Sequence, residues 1–261
     1  MYAKDFIFDS HRLSDYNCMI CSFDSNNDSP ASGGEIEFNV AKSPNRDKFN
    51  FYGSKLNSVF TWNFSICKKI CDDNQNDYFD QYEESMLAKW LLKLDGYRYL
   101  QFDQDGYEDI FYKVQINNMI PHQISGRTIG YDFTVISNCG SGFSELITKN
   151  TTISSATPLK LMVHNDLDSV IFPYITITGS GNFYVSNDSD ISQNISTGKA
   201  SQFTNVSSVL EMDCENDIIT GCNPDNFNWY FLRLVDGENI ISTNSTLNIE
   251  IKYREIRRVI V

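Results

Sequence analysis

Phe60-Thr61-Trp62-Asn63-Phe64-Ser65-Ile66 decides the fold class. Large apolar side chains take every second position, and small polar ones fill the gaps. Successive side chains of a strand point to opposite faces, so this period of two describes a strand with one buried face and one wet face. The same alternation spreads in both directions. Upstream it recurs at Ile36, Phe38 and Val40, at Phe49 and Phe51, and around Phe6 and Phe8, while Ser14-Asp15-Tyr16 opens a second short strand running through Met19 and Ile20. Downstream, Tyr97–Phe102 and Ile110–Ile116 flank Asp105-Gly106, a pair suited to a tight hairpin turn. Ile129, Tyr131, Phe133 and Val135 then line one face of a further strand. With 18 Phe and 14 Tyr, aromatics form 13% of the chain, and such side chains fit pleated, half-buried surfaces. The segment Asp24–Gly34 is rich in Ser, Asn, Asp and Gly and reads as a loop.

One helix interrupts the strands. Asp72–Asp80 is a polar lead-in, and Asp80 followed by Glu83 suits a capping box, in which each side chain satisfies an orphan backbone donor. Met86, Leu87, Trp90, Leu91 and Leu94 form one apolar stripe. Gly96 is placed to end the helix in a left-handed conformation. The stripe is expected to bury against the neighbouring sheet.

At Ser137–Ser155 the composition turns polar, and Asn138-Cys139-Gly140-Ser141-Gly142 is a turn-rich break. The reading places a domain boundary near position 150, giving domains 1–150 and 151–261. The second half has no helical periodicity. Leu159, Leu161 and Val163 alternate, Ile175 and Ile177 precede the turn at Gly179–Asn182, and Leu210 and Met212 follow. Trp229 and Phe231 then suggest another strand before Asp236-Gly237, and Leu247, Ile249 and Ile251 close the series. Short strands separated by turns describe a sandwich. The fold class is therefore mainly β, with a β-sandwich in the second half.

Charge narrows the function classes. The formal net charge of -13 repels nucleic-acid phosphates. No apolar run is long enough to span a membrane. The start, Met1-Tyr2-Ala3-Lys4-Asp5, is not followed by the apolar stretch of a secretion signal, so the chain is expected to fold in a cytosol. Seven cysteines, Cys18, Cys21, Cys67, Cys71, Cys139, Cys214 and Cys222, are an odd number, which speaks against a disulfide framework. Cys18-x-x-Cys21 and Cys67-x-x-x-Cys71 approach zinc-like spacing, but residues three apart in a strand face opposite ways, so free structural thiols are the expectation. No Gly-x-Ser-x-Gly, phosphate loop or His-Glu-x-x-His motif occurs. Asp103-x-Asp105-Gly106 lacks the further oxygen ligands of a calcium loop. No catalytic residue, metal site or cofactor is expected. The Asn-x-Ser/Thr triplets follow from an Asn-, Ser- and Thr-rich composition.

Two surface features remain. Trp229 and Tyr230 are candidates for a sugar-binding platform, although the alternation of Trp229 with Phe231 places Trp229 in the core. Lys252, Arg254, Arg257 and Arg258 form a small basic cluster in an acidic chain. It reads as one solvated strand face or as a contact with an acidic neighbouring subunit.

The chain resembles the distal tail protein family of siphophages and related prophages. Asp5-Phe6-Ile7-Phe8-Asp9 with Asp15–Ile20 looks like the family's first hairpin. Glu84 through Trp90-Leu91, then Gly96-Tyr97-Arg98-Tyr99-Leu100, looks like its helix and exit. Asn165 through Pro173 and then Ile175–Asn182 looks like the opening of its C-terminal domain. Glu211-Met212-Asp213 through Phe231, Asp236-Gly237 and Glu238-Asn239 looks like its closing run. Together these cover most of the chain in family order. The chain departs from the family at Asp236-Gly237, where Pro-Gly is common, and in the long polar tract Asp188–Asn205.

The resemblance implies an N-terminal β-sandwich with an added α-helix and hairpin, and a galectin-like C-terminal sandwich. It implies a hexameric ring in the virion's tail tip, assembled in the host cytoplasm. That ring would join the tail tube protein to a tail-associated lysin or receptor-binding protein, with no catalytic residue. A carbohydrate-binding module contacting cell-wall glycans is the alternative. A glycoside hydrolase, which needs paired carboxylates in a cleft, is a third reading.

Overall fold

The computed structural model describes residues 3–22, 36–43, 47–56, 59–69, 76–167 and 169–259. The expected loop at Asp24–Gly34, Cys71 and most of the polar lead-in before the helix lie outside these residues. The chain is mainly β and divides into two compact units. Unit 1 runs to Phe143 and includes the chain end from Arg258; unit 2 is Ser144–Arg257.

Unit 1 contains strands β1 (Asp5–Phe8), β2 (His11–Arg12), β3 (Cys18–Cys21), β4 (Ile36–Lys42), β5 (Phe49–Leu56), β6 (Thr61–Lys68), β7 (Arg98–Asp103), β8 (Phe111–Ile116), β9 (Ile120–Ile124), β10 (Arg127–Ser137) and β11 (Gly142–Phe143). Its main sheet has the order β2-β1-β7-β8-β10-β6-β3, with β9 also on β10. The two ends of this order face each other. Phe6 of β1 lies 6.4 Å from Phe64 of β6 and 6.1 Å from Phe133 of β10, ring centre to ring centre, and Phe102 of β7 lies 5.7 Å from Trp62. The alternation around Phe60–Ile66 therefore reports a true core face: Phe60, Trp62 and Ile66 are buried.

The first hairpin is corrected. Ser14-Asp15-Tyr16 belongs to a 3-10 turn, Leu13–Tyr16, with the N–H of Arg12 just before it donating to the Asp15 carboxylate. β3 then pairs with β6, at the opposite end of the order from β1. Asn17, at φ 53, redirects the chain there.

Helix α1 (Gln81–Leu91) has the predicted capping box: Asp80 accepts from the Glu83 N–H, and Glu83 accepts from the Asp80 N–H. Leu87, Trp90 and Leu91 are buried. The rest of the predicted stripe is not. Met86 is 39% exposed, and Leu94 lies beyond the helix end, 97% exposed. The helix stops at Leu91, so Gly96 (φ +111) does not cap it but turns the chain into β7. The stripe narrows because a short helix rests one edge, and not a broad face, on the sheet.

Unit 2 contains β12 (Ile147–Ile153), β13 (Leu159–Val163), β14 (Tyr174–Thr178), β15 (Gly181–Asn187), β16 (Ser201–Val206), β17 (Val209–Asp213), β18 (Ile218–Thr220), β19 (Gly237–Thr243), β20 (Leu247–Tyr253) and β21 (Ile256–Arg257). Sheets β12-β20-β14-β17-β18 and β13-β19-β15-β16 pack their apolar faces into one core, a sandwich. The polar stretch around Ser137–Ser155 includes β12. Edge position explains it: among the described residues β12 pairs only with β20, and it leaves most of its side chains in water. The long tract after Asp188 is tied down by buried Asp190. One carboxylate oxygen accepts from the Ser192 and Gln193 N–H groups, and the other accepts from Arg233.

Candidate functional site

The largest anomaly is the hairpin β4–β5. Among the described residues these two strands pair only with each other. Val40 opposes Phe51 and Lys42 opposes Phe49, so Val40, Phe49 and Phe51 share a face. The ring of Phe38 lies 6.1 Å from that of Phe51. The register slips by one residue between Phe38 and Val40, where Gly53 at φ +124 accommodates the bulge. Phe38, Val40, Phe49, Phe51 and Tyr52 are all exposed. A two-stranded ribbon with an exposed apolar face is marginal alone, and such a surface marks a place of association. The alternation at these positions is legible in the sequence as strand. Nothing in periodicity says whether the partner for an apolar face lies in the same chain.

Trp229 requires a second correction. The strand expected through Trp229 and Phe231 is absent. Phe227 bridges Phe203 of β16, Trp229 takes φ +60, and Phe231 is buried again. One left-handed residue breaks the period of two, so Phe227 and Phe231 enter the core while Trp229 is 54% exposed and Tyr230 is exposed beside it.

The four basic residues do not form an unpaired cationic face. Lys252 pairs with Glu250 at 2.5 Å and Arg257 with Glu255 at 2.7 Å. Arg254 donates to the Ser144 carbonyl at 2.6 Å, and Arg258 also has an interaction partner.

Among the described residues, nothing assembled elsewhere resembles a reaction centre. On the outer face of β6, β9 and β10, Asp132 accepts from Ser65 at 2.5 Å and contacts His122 at 2.5 Å. The carboxylate sits between the hydroxyl and the imidazole, so the imidazole cannot take the serine proton as a nucleophile's base must. A shallow groove of about 190 Å³ there includes Asn63, Ser65, Asp132 and Thr134, and one of about 320 Å³ beside α1 includes Glu84, Ala88, Leu92 and Tyr131. Each is lined by a single carboxylate, short of the pair a glycosidase needs. Among the described residues no group of His, Cys, Asp or Glu is placed to hold a metal. Burial pushes the Cys18 and Cys214 thiols up to about 12, which keeps them protonated and unreactive at neutral pH. Asp103, Asp105 and Gly106 form the β7–β8 turn, where the Gly106 N–H is satisfied by Glu108.

The chain is mainly β and displays an exposed apolar ribbon. A family model described as the phage tail protein N-terminal domain matches residues 1–139, and the chain belongs to that family. No curated protein sequence matches it. Its fold is similar to that of the Dit protein of phage SPP1, titled a paradigm of the hub adsorption apparatus in phages infecting Gram-positive bacteria. That match has a TM-score of 0.60 and 11% identity over 97% of this chain and 99% of the other. Chains of the phage P2 baseplate in its activated conformation are also similar. The calcium form gives a TM-score of 0.57 at 10% identity, covering 100% of both chains. The strontium form gives 0.60 at 9% identity, covering 99% of this chain and 100% of that one.

Proposed function

We propose that this protein is the hub of a phage tail tip: six copies close into a ring that joins the tail tube to the tail-associated lysin or receptor-binding machinery. It is assembled in the host cytoplasm and resides in the virion. The observation that carries the reading is the β4–β5 ribbon, whose exposed Val40, Phe49 and Phe51 need a covering surface. A ring is built from heterologous contacts, in which one patch of each copy meets a different patch of the next. An apolar ribbon seated on a neighbour is such a contact. The basic residues near the end of the chain, already paired within it, contribute less. The family and the hub-protein fold support the same reading.

Native mass spectrometry and negative-stain imaging of the purified chain test it. The expected result is a species of six chain masses with a central opening, reduced to a folded monomer by the double substitution Phe49→Ser, Phe51→Ser. A wild-type chain that stays monomeric at every concentration and shows no rings overturns the proposal. So does a ring that the double variant leaves intact, since the ribbon would then not be its contact.

A further inference from the structure

We propose that Trp229 and Tyr230 form a binding platform for the pyranose rings of a neutral cell-surface polysaccharide. The argument starts from the backbone. Trp229 holds φ +60, a region that a bulky non-glycine residue occupies only when its surroundings impose it, and such outliers gather at binding sites. Here the surroundings do impose it. Asn228 accepts from the Gln202 N–H at 2.9 Å and donates to the Ala200 carbonyl at 2.8 Å. The Ser201 hydroxyl donates to the Tyr230 carbonyl at 2.6 Å. Phe227 stacks on Phe203 at 4.9 Å, and Phe231 is buried two residues beyond Trp229. The backbone on both sides is pinned, and the indole between them is turned outward.

The exposed surface has the character of a sugar site. The indole N–H and the Tyr230 hydroxyl make no hydrogen bond with other described residues. They are available to sugar hydroxyls, while the apolar C–H face of a pyranose covers a ring. Size separates a sugar from a protein. Trp229 is 54% and Tyr230 38% exposed, which leaves on the order of 200 Å² of aromatic side chain to cover. A stable protein interface needs about 800 Å² from each partner; one or two sugar rings need much less. Charge selects the class of glycan. A chain with net charge -13 repels anionic wall polymers, so the fitting ligand is neutral.

The experiment is saturation-transfer NMR of the whole chain with cellohexaose, chitohexaose and a β-1,4-galactan hexamer as separate probes. Transfer to at least one probe is expected. Trp229→Gly, which keeps the backbone conformation, is expected to weaken that binding at least tenfold. Trp229→Phe is expected to stay within about threefold of the wild type, because a ring remains to stack on. Circular dichroism confirms that both variants fold. No transfer to any of the three probes overturns the proposal, as does binding that Trp229→Gly leaves unchanged. Loss of oligomer mass in Trp229→Gly without any sugar response also overturns it and assigns the surface to a protein contact. Ring formation is read separately by mass, so this test and that of the hub fail independently.

Discussion

Trp90 and Trp229 occupy opposite kinds of site. Trp90, on α1, is 4% exposed. Its ring stacks on Tyr16 at 4.3 Å and on Phe6 at 5.9 Å, and its N–H donates to the Phe8 carbonyl at 2.9 Å. Trp229 packs beside Phe227 and Phe231, at 5.9 and 6.3 Å, and its N–H makes no hydrogen bond with other described residues. Each aromatic side chain can bury a large area. The difference lies in the backbone beneath. A helical backbone against a sheet directs Trp90 inward, while a single left-handed residue held by its neighbours directs Trp229 out. One indole is a keystone of packing and the other is displayed.

The strongest test of this contrast is Trp90→Ala. It removes a stacked ring from the centre of unit 1 together with its hydrogen bond to the Phe8 carbonyl. The expected loss is about 3–5 kcal/mol of unfolding free energy, read from a urea titration. A loss below about 1 kcal/mol would show that the helix is not anchored through this residue.

The next effect concerns the tract that packs beside Trp229. Arg233 meets buried Asp190 through two nitrogens, at 3.0 and 2.7 Å. Burial alone pushes the Asp190 carboxyl up. Hydrogen bonds from the Ser192 hydroxyl, Arg233 and the Ser192 N–H outweigh it and hold the group below the usual carboxylate range. Because the folded value is depressed, this stabilisation is present above the unfolded value near ~4 and drains away as pH falls through the folded one. Arg233→Ala strands the carboxylate, at an expected cost of about 2–3 kcal/mol at neutral pH. The gap between wild type and variant should narrow when the titration is repeated at about pH 3, where the wild type loses its own advantage. A gap that stays constant with pH would mean that the pair acts through packing alone.

Much of this fold is legible in the sequence, and the places where it is not share a cause. The Phe60–Ile66 alternation, the Asp80–Glu83 capping box and the Asp105-Gly106 turn all report local rules, and the structure obeys them. Trp229, Asn17 and Leu94 defeat the same rules, because a positive φ or an early helix end changes the phase of a pattern without changing its letters. Phe49 and Phe51 defeat them differently. Their period of two is sound, but no described residue covers the face it makes. The basic residues near the end of the chain read as a cluster only until their carboxylate and carbonyl partners are placed beside them.

A smaller effect of opposite sign is expected at Tyr112. It is fully buried among Phe60, Trp62 and Phe102, and its hydroxyl finds no hydrogen-bond partner among the described residues. Trp90 shows what a satisfied polar group in this core looks like. Tyr112→Phe removes an uncompensated desolvation cost at the risk of a small void, so stability should stay equal or rise by up to about 1 kcal/mol. A loss above ~1 kcal/mol in the same titration would show that the hydroxyl is paired after all.

The smallest effect is expected where sequence intuition would place a large one, at Trp229→Gly. Deleting a tryptophan side chain from a core costs several kcal/mol, and adding glycine flexibility to the unfolded chain costs roughly 0.5–1 kcal/mol more. Trp229 is not in a core, and its left-handed backbone carries about 1–2 kcal/mol of strain that glycine relieves. Relief and entropy nearly cancel, leaving only the loss of edge contacts with Phe227 and Phe231. The expected net change is within about 0.5–1 kcal/mol of zero, visible as an almost unmoved urea midpoint. A loss of ~3 kcal/mol, comparable to Trp90→Ala, would place Trp229 in the packing of unit 2 and erase the distinction between the two tryptophans. It would also leave no reason for an indole to face solvent at that backbone position.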